Sequence, residues 1–216
     1  MTQVTLLANG IAEMGLDVTE ETQIKLLQYL SLLNKWNKVY NLTAVRDTLE
    51  MVTLHLLDSL SILPYIKINA KNLLDVGSGG GLPGIVLAIC QPNLKVTTID
   101  TVQKKAIFMR QVKGELGLVN LNVVHSRVEN HQPTEKFDVI VSRAFSDLTL
   151  FINLTRHLIA NNGQWFAMKG LMPDDELQAL IIKPDSVYPS LIEPLKVAGL
   201  NAQRHLLVFD NNIKKV

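Results

Sequence analysis

Between residues 1 and about 66 the apolar positions recur with helical spacing. Leu26, Leu27, Leu30 and Leu33 fall along one face, with Tyr29 and Trp36 nearby. Thr19, followed by Glu20, Glu21 and Thr22, reads as a helix start in which either threonine supplies the cap. A second helical run over 49–63 is expected to stop at Pro64. Between the two runs lies NKWNKVYNLTAVRD, residues 34–47, rich in Asn, Lys and aromatics.

About residue 67 the period changes, and short apolar runs alternate with helical ones. Strands are expected at 73–76, 96–100, 121–125, 137–142, 164–169 and 205–210. Helices are expected at 83–90, 104–116, 148–160 and 174–181, the first opening on Pro83. Residues 184–194 read as an irregular connection with a short strand. This alternation implies an α/β fold, a mostly parallel sheet covered by helices on both faces. The organisation expected is an N-terminal helical extension, 1–66, followed by the α/β domain, 67–216.

The first strand runs into LLDVGSGGGLPG, residues 73–84, which fits two nucleotide-binding patterns. Gly79 to Gly84 reads as G-x-G-x-x-G, the dinucleotide pattern. Asp75 to Gly81 reads as D-x-G-x-G-x-G. A phosphate loop would end in Gly-Lys-Ser/Thr, and Leu82-Pro83-Gly84 supplies no lysine. The strand's register separates the other two. A dinucleotide fingerprint follows its strand directly, yet here it would begin only at Gly79. S-adenosylmethionine has no phosphate, carries both charges on its amino-acid moiety and has two ribose hydroxyls. It suits an acid at the end of the first strand, Asp75, a bare loop, and an acid ending the second strand, Asp100, although that last carboxylate would serve a dinucleotide's ribose equally. The fold expected is therefore a Rossmann-like, class I S-adenosylmethionine-dependent methyltransferase.

Composition narrows the picture further. Hydrophobic residues make up 47% of 216, enough for a sizeable core. The formal net charge is only +1, from 21 basic and 20 acidic residues, so any nucleic-acid contact must come from local patches. The single cysteine, Cys90, lies in an apolar run and points to core packing in a reducing cytoplasm. No basic leader precedes the first apolar residues, and neither a signal peptide nor a membrane span is expected. His125 and His131 are isolated, and no metal is expected.

Several longer stretches carry a more specific resemblance. They are KWNKVYNLTAVRD (35–47), HLLDSL (55–60), LLDVGSGGGLPGI (73–85), IDTVQKKAIFMRQV (99–112), SRVE (126–129), FDVIVSRAF (137–145), FAMKG (166–170) and RHLLV (204–208). Together they resemble the bacterial 16S ribosomal RNA guanine-N7 methyltransferase family, also called glucose-inhibited division protein B. The resemblance implies methyl transfer from S-adenosylmethionine to N7 of one guanine in a loop of the small-subunit rRNA. It implies that Gly77 and Leu82 line the cofactor site, with Gly79 and Gly81 keeping the loop bare. It further implies Val128 and Glu129 at the adenine end, Asp100 as the ribose carboxylate, and Arg143 reaching the cofactor from the fourth strand. Gly80 and Gly81 stand where members of the family often carry Pro, and Asp100 where many carry Glu.

Guanine N7 carries a lone pair and no proton, so no general base is expected. An arginine beside a sulfonium is unfavourable unless it is paired. Arg143, the candidate catalytic side chain through positioning, is therefore expected to bind the methionine carboxylate or a substrate phosphate. The alternative for it is a salt bridge holding the fourth strand. Candidate RNA contacts fall in three groups: Lys35, Lys38 and Arg46 around Trp36 and Tyr40; Lys104, Lys105 and Arg110; and Lys169, Arg204 and His205. Trp36 itself is expected in the core. His55 is expected to fix HLLDSL against the loop. The expected partner is 16S rRNA or the small ribosomal subunit, with the chain acting as a monomer. The competing readings are a small-molecule methyltransferase with a helical lid, a dinucleotide oxidoreductase and a non-catalytic S-adenosylmethionine-binding module.

Overall fold

The computed structural model describes residues 1–143, 145, 147–181 and 187–211. Its centre is a seven-stranded sheet in the order β3-β2-β1-β4-β5-β7-β6. The strands are β1 (Asn72–Val76), β2 (Lys95–Asp100), β3 (Leu121–His125), β4 (Phe137–Ser142), β5 (Ile159–Lys169), β6 (Pro189–Pro194) and β7 (His205–Asp210). All neighbours pair in parallel except β7, which runs antiparallel to β5 and β6. The chain leaves β1 toward β2 on one side, and β4 later joins β1 on the other. That reversal opens a crevice beyond the carboxyl ends of β1 and β4, where ligands of open α/β sheets sit.

Side chains alternate between two apolar layers, as the strand period of two requires. Leu73, Val96, Val139, Val141, Phe166 and Val208 face one layer. Leu74, Val76, Ile99, Ile140, Trp165 and Phe209 face the other. The first layer is shared with the N-terminal segment: Leu26, Leu30, Leu33, Leu56 and Leu60 lie in the same cluster as Ile85, Phe108 and Val112.

The N-terminal segment forms α1 (Gln3–Glu13), α2 (Glu20–Tyr40), α3 (Thr48–Met51) and α4 (Asp58–Leu60), with a π-helical stretch, Val52–Leu57, joining the last two. Thr19 is the cap of α2, accepting from the Thr22 amide at 3.3 Å. The α2 helix continues through NKWNKVY, where the apolar period by itself places a connection between two helices. Nothing in that stretch breaks a helix, and Leu33 and Asn37 face inward. The helix ends where Asn41 turns left-handed, at φ 51°. The wider-pitched π stretch was not visible in the apolar period. Pro64 sits in a 3-10 turn, Leu63–Tyr65.

The remaining helices are α5 (Gly84–Cys90), α6 (Gln103–Glu115), α7 (Leu148–Thr155) and α8 (Asp174–Ile181). Pro83 caps α5 rather than opening it. The helix expected over 148–160 ends at Thr155, and β5 begins at Ile159 instead of Gln164. The fully buried Thr155 hydroxyl donates to the Phe151 carbonyl at 2.7 Å and accepts from Trp165 Nε1 at 2.9 Å, fixing that corner. Of the connection expected over 184–194, residues 184–186 lie outside the described residues, and Pro189–Pro194 is the edge strand β6.

Candidate active site

The glycine loop follows β1 directly, in the D-x-G-x-G-x-G register. Gly77, Gly79 and Gly81 all have positive φ, at 70°, 60° and 94°. The amides of Gly77, Ser78, Gly79, Gly81 and Leu82 are turned into the protein. Those of Gly77 and Ser78 donate to the Ile99 carbonyl at 2.9 and 3.3 Å. Those of Gly81 and Leu82 donate to the Ser78 carbonyl at 2.8 and 2.9 Å. The Gly79 amide donates to Asp100 Oδ2 at 2.9 Å, and the Gly84 amide to Asp75 Oδ2 at 2.9 Å. A phosphate cradle needs amides aimed at its ligand. This loop offers bare backbone surface instead, which suits a ligand without phosphate.

Asp75 does not line the cavities around the loop. It is fully buried beneath it, on the layer that faces α5. Burial raises its carboxyl to about 7, against the opposing hydrogen bond from the Gly84 amide. Gly84 is required by close approach: a Cβ there would stand 2.7 Å from Asp75 Oδ2. The last glycine of the motif thus serves helix-to-strand packing. From the other side, Tyr29 on α2 donates its buried hydroxyl to the Gly80 carbonyl at 2.7 Å.

Three cavities meet here. The first holds about 320 Å³ and has apolar walls from Val76, Ile99, Val128, Phe145 and Leu154. Its polar side carries Gly77, Asp100, Lys105, Ser126 and Glu129. Both Asp100 oxygens are engaged, Oδ2 by Gly79 and Oδ1 by the Val102 amide at 2.8 Å. Lys105 Nζ approaches Oδ2 at 3.5 Å. A carboxylate has about four lone-pair sites, so two amides leave capacity for hydroxyl donors. Apolar walls with a carboxylate at one edge could receive an adenosine. The second cavity lies over the loop, between Gly77, Gly79, Gly80 and Leu82 below and Leu42 and Thr43 above. Gly77 and Lys105 line both, so the two are continuous.

Leu42 and Thr43 belong to a strap contributed by the N-terminal segment. Asn37 holds it, accepting from the Thr43 amide at 2.9 Å and donating to the Val45 carbonyl at 3.1 Å. Arg46 donates to the Asn37 carbonyl and to Asn41 Oδ1, at 3.2 and 2.6 Å. His55 Nε2 meets Thr43 Oγ1 at 3.0 Å, so it ties HLLDSL to the strap that covers the loop. Burial, reinforced by Arg143, lowers the His55 ring to about 4.

Arg143 stands at the end of β4 and lines both the loop cavity and a third cavity. The third is bounded by Val45, His55, Asp58, Lys169 and Arg204. Arg143 Nη1 donates to Asp58 Oδ2 at 3.0 Å and to the Leu54 carbonyl at 3.1 Å. The ion pair envisaged as the alternative for Arg143 is therefore present, yet the side chain remains 29% exposed at the cavities. Asp58 was not singled out in the sequence. Its signal was an acid inside an apolar helical run, because a buried acid needs a partner.

The candidate RNA contacts divide. Lys35 and Lys38 are exposed on α2, beside Trp36 and Tyr40, whose rings are 5.0 Å apart. Trp36 also packs on Phe108 at 5.6 Å, in keeping with a core position. Lys104 and Arg110 are exposed on α6, and Arg110 borders none of the three cavities. Lys169 is engaged by Glu176, at 2.7 and 2.9 Å, and by the Phe145 carbonyl. His205 Nδ1 lies 2.8 Å from the Gly170 carbonyl. Cys90 packs against the core, and burial raises its thiol to about 12. Among the described residues no group of three His, Cys, Asp or Glu side chains could hold a metal ion, and no helix is long and apolar enough to cross a membrane.

Comparison with known proteins agrees with this fold. Solved structures share the fold at low identity. A SAM-dependent methyltransferase from Aquifex aeolicus matches with TM-score 0.56 at 18% identity, over 84% of this chain and 97% of that one. An rRNA methylase from Streptococcus thermophilus matches with TM-score 0.51 at 19% identity, over 71% of this chain and 92% of that one. Sequence relatives are much nearer. The ribosomal RNA small subunit methyltransferase G of Methylobacillus flagellatus is 61% identical over 201 residues, 93% of this chain and 95% of the relative. The protein of that name from Pseudomonas putida is 54% identical over 203 residues, 94% of this chain and 93% of the relative. The family model for GidB, rRNA small subunit methyltransferase G, matches residues 22–207. A match over that length, from α2 into β7, places the chain in the rRNA small subunit methyltransferase G family.

Proposed function

We propose that this chain transfers a methyl group from S-adenosylmethionine to N7 of a guanine in 16S rRNA, working as a monomer in the bacterial cytoplasm. The observation that carries the reading is the junction at Arg143. A slot suited to adenosine runs along a phosphate-averse loop and meets a basic cavity at this one side chain.

S-adenosylmethionine supplies an electrophilic methyl group on a sulfonium. The chain's own residues supply position. Val76, Ile99, Val128 and Phe145 would flank the adenine, and Asp100 would accept from the ribose hydroxyls. Glu129, exposed at the rim, would face the adenine end. The bare backbone of Gly77, Gly79 and Gly81, with Leu82, would leave room for the amino-acid moiety. Arg143 would bind its carboxylate, with Asp58 offsetting the positive charge near the sulfonium. Asp75 would hold the loop from beneath.

A guanine N7 lone pair needs no proton removed, and the side chains at the junction fit that requirement. His55 is engaged by Thr43 and kept neutral by burial. Alignment of donor and acceptor accounts for most of the rate, since effective molarity is worth roughly 7–11 kcal/mol in favourable geometry. Lys35, Lys38, Arg46, Lys104 and Arg110 would add salt-dependent affinity for the RNA backbone.

The test is transfer of label from S-adenosylmethionine to small ribosomal subunits from cells lacking the protein, followed by a cleavage scan for N7-methylguanine. One new modified guanine in 16S rRNA is expected. Label appearing only in small metabolites would overturn the reading.

A further inference from the structure

Asp58 is 1% exposed and stands between two arginines from distant parts of the chain. Its Oδ2 accepts from Arg143 Nη1 at 3.0 Å, and its Oδ1 accepts from Arg204 Nε at 2.7 Å. Among the described residues, one carboxylate stands between the two guanidiniums, so one positive charge has no acidic partner there. The other cation in this cavity, Lys169, is already neutralised by Glu176. Each guanidinium has five N–H donors; Asp58 takes one from each, and the Leu54 and Gln203 carbonyls take one more from Arg143 and Arg204, at 3.1 and 2.9 Å, which leaves further donors on both. Both side chains keep a quarter or so of their surface exposed at the cavity. Arg143 also borders the glycine loop, whereas Arg204 lines only the third cavity.

From this geometry we propose that Arg204 and Arg143 form a clamp for an RNA phosphodiester beside the acceptor base, and that Asp58 is its positioning residue. The inference rests on the function proposed above and adds to it a place and a chemistry for the acceptor strand. The third cavity receives the nucleotide, Arg204 takes its phosphate, and Arg143 spans phosphate and cofactor. The buried carboxylate fixes both forks in one orientation, so that little side-chain freedom is lost when the anion arrives. Without Asp58 the two like charges would also repel each other across the cavity.

The test uses the full-length chain, small subunits from cells lacking the protein, and S-adenosylhomocysteine as the cofactor probe. Arg204→Gln is expected to raise KM for subunits at least tenfold while leaving S-adenosylhomocysteine affinity within about twofold. It should also reduce the salt slope of subunit binding by about one. Arg204→Lys should restore the slope but only part of the KM, since a lysine cannot reproduce the fork. Asp58→Asn should raise KM as well. In the Asp58→Asn/Arg204→Gln double variant, KM should be no more than about threefold worse than in the worse single variant, because the carboxylate acts through the arginine. An unchanged KM and slope in Arg204→Gln would overturn the clamp. So would an equal loss of S-adenosylhomocysteine affinity, which would assign both arginines to the cofactor carboxylate. Multiplying KM effects would reduce Asp58 to a structural role. If Asp58→Asn does not fold, the two Arg204 variants still decide the clamp. Subunit binding is read without methyl transfer. A wild type that labels no rRNA while the Arg204 differences persist would remove the proposed function and leave the clamp standing.

Discussion

Two buried titratable side chains near the loop pull stability in opposite directions. Asp75 has its carboxyl raised by burial to about 7, so the folded state holds a proton that the unfolded state releases near 4. Its contribution is fully present at low pH and is lost as pH rises from about 4 through about 7. His55 has its ring lowered to about 4, so the unfolded state takes up the proton first. Its contribution is present above about 6.5 and is lost as pH falls toward about 4. In the wild type the two partly cancel. Asp75→Asn keeps an acceptor for the Gly84 amide and removes one side of the balance. The variant should gain on the wild type as pH rises through 7, and its denaturation midpoint should fall more steeply below pH 6. Parallel midpoint curves for the two proteins would contradict the assignment. The presence of Asp75 in the motif was legible in the sequence. Its position under the loop was not, because strand alternation puts Asp75 on the face of Leu73, toward α5, and only the close approach at Gly84 reveals why.

Among the elements, α2 holds the loop from the N-terminal segment. Tyr29 reaches Gly80 across 51 residues of sequence. Removing its hydroxyl leaves a buried carbonyl without its donor, a change worth about 1–3 kcal/mol. Tyr29→Phe should therefore lower Tm by several degrees at about 2–4 °C per kcal/mol for a chain this long. S-adenosylhomocysteine affinity should fall with it; a stable variant with unchanged affinity would show that α2 does not hold the loop. The existence of most elements could be read from the chain, because the periods of two and 3.6 are distinct there. Their ends were less clear. Extension of α2 to Tyr40 depended on which residues meet Phe108, and the early start of β5 on the Thr155–Trp165 hydrogen bond. Asp58 shows the same limit at the site: its partners lie 85 and 146 residues away, a separation no local pattern encodes.

For the whole molecule, the division at residue 66 separates sequence styles, whereas the apolar layer runs through both. Leu26, Leu30 and Leu33 pack in one cluster with Ile85, Phe108 and Val112. We expect the chain to unfold in a single transition, with far-ultraviolet dichroism and tryptophan fluorescence coinciding. A fragment beginning at residue 67 would expose that layer and should not fold alone. Two separated transitions, or a soluble and cooperative fragment, would restore an independent extension. The alternation of strands and helices implied a mostly parallel sheet, but not the insertion of β7 between β5 and β6. That placement brings Arg204, just before β7, beside Arg143 at the end of β4.

The inward-turned amides of the glycine loop have a consequence for hydrogen exchange. Gly77, Ser78 and Gly79 already have acceptors in the protein without any ligand. Their amide protons should exchange slowly in the free enzyme and change little when S-adenosylhomocysteine binds. A phosphate-binding loop behaves the other way, gaining protection only when its anion arrives. The loop therefore meets its ligand already set, and the heat of binding should carry the negative heat-capacity change of apolar burial rather than the enthalpy of ordering a backbone.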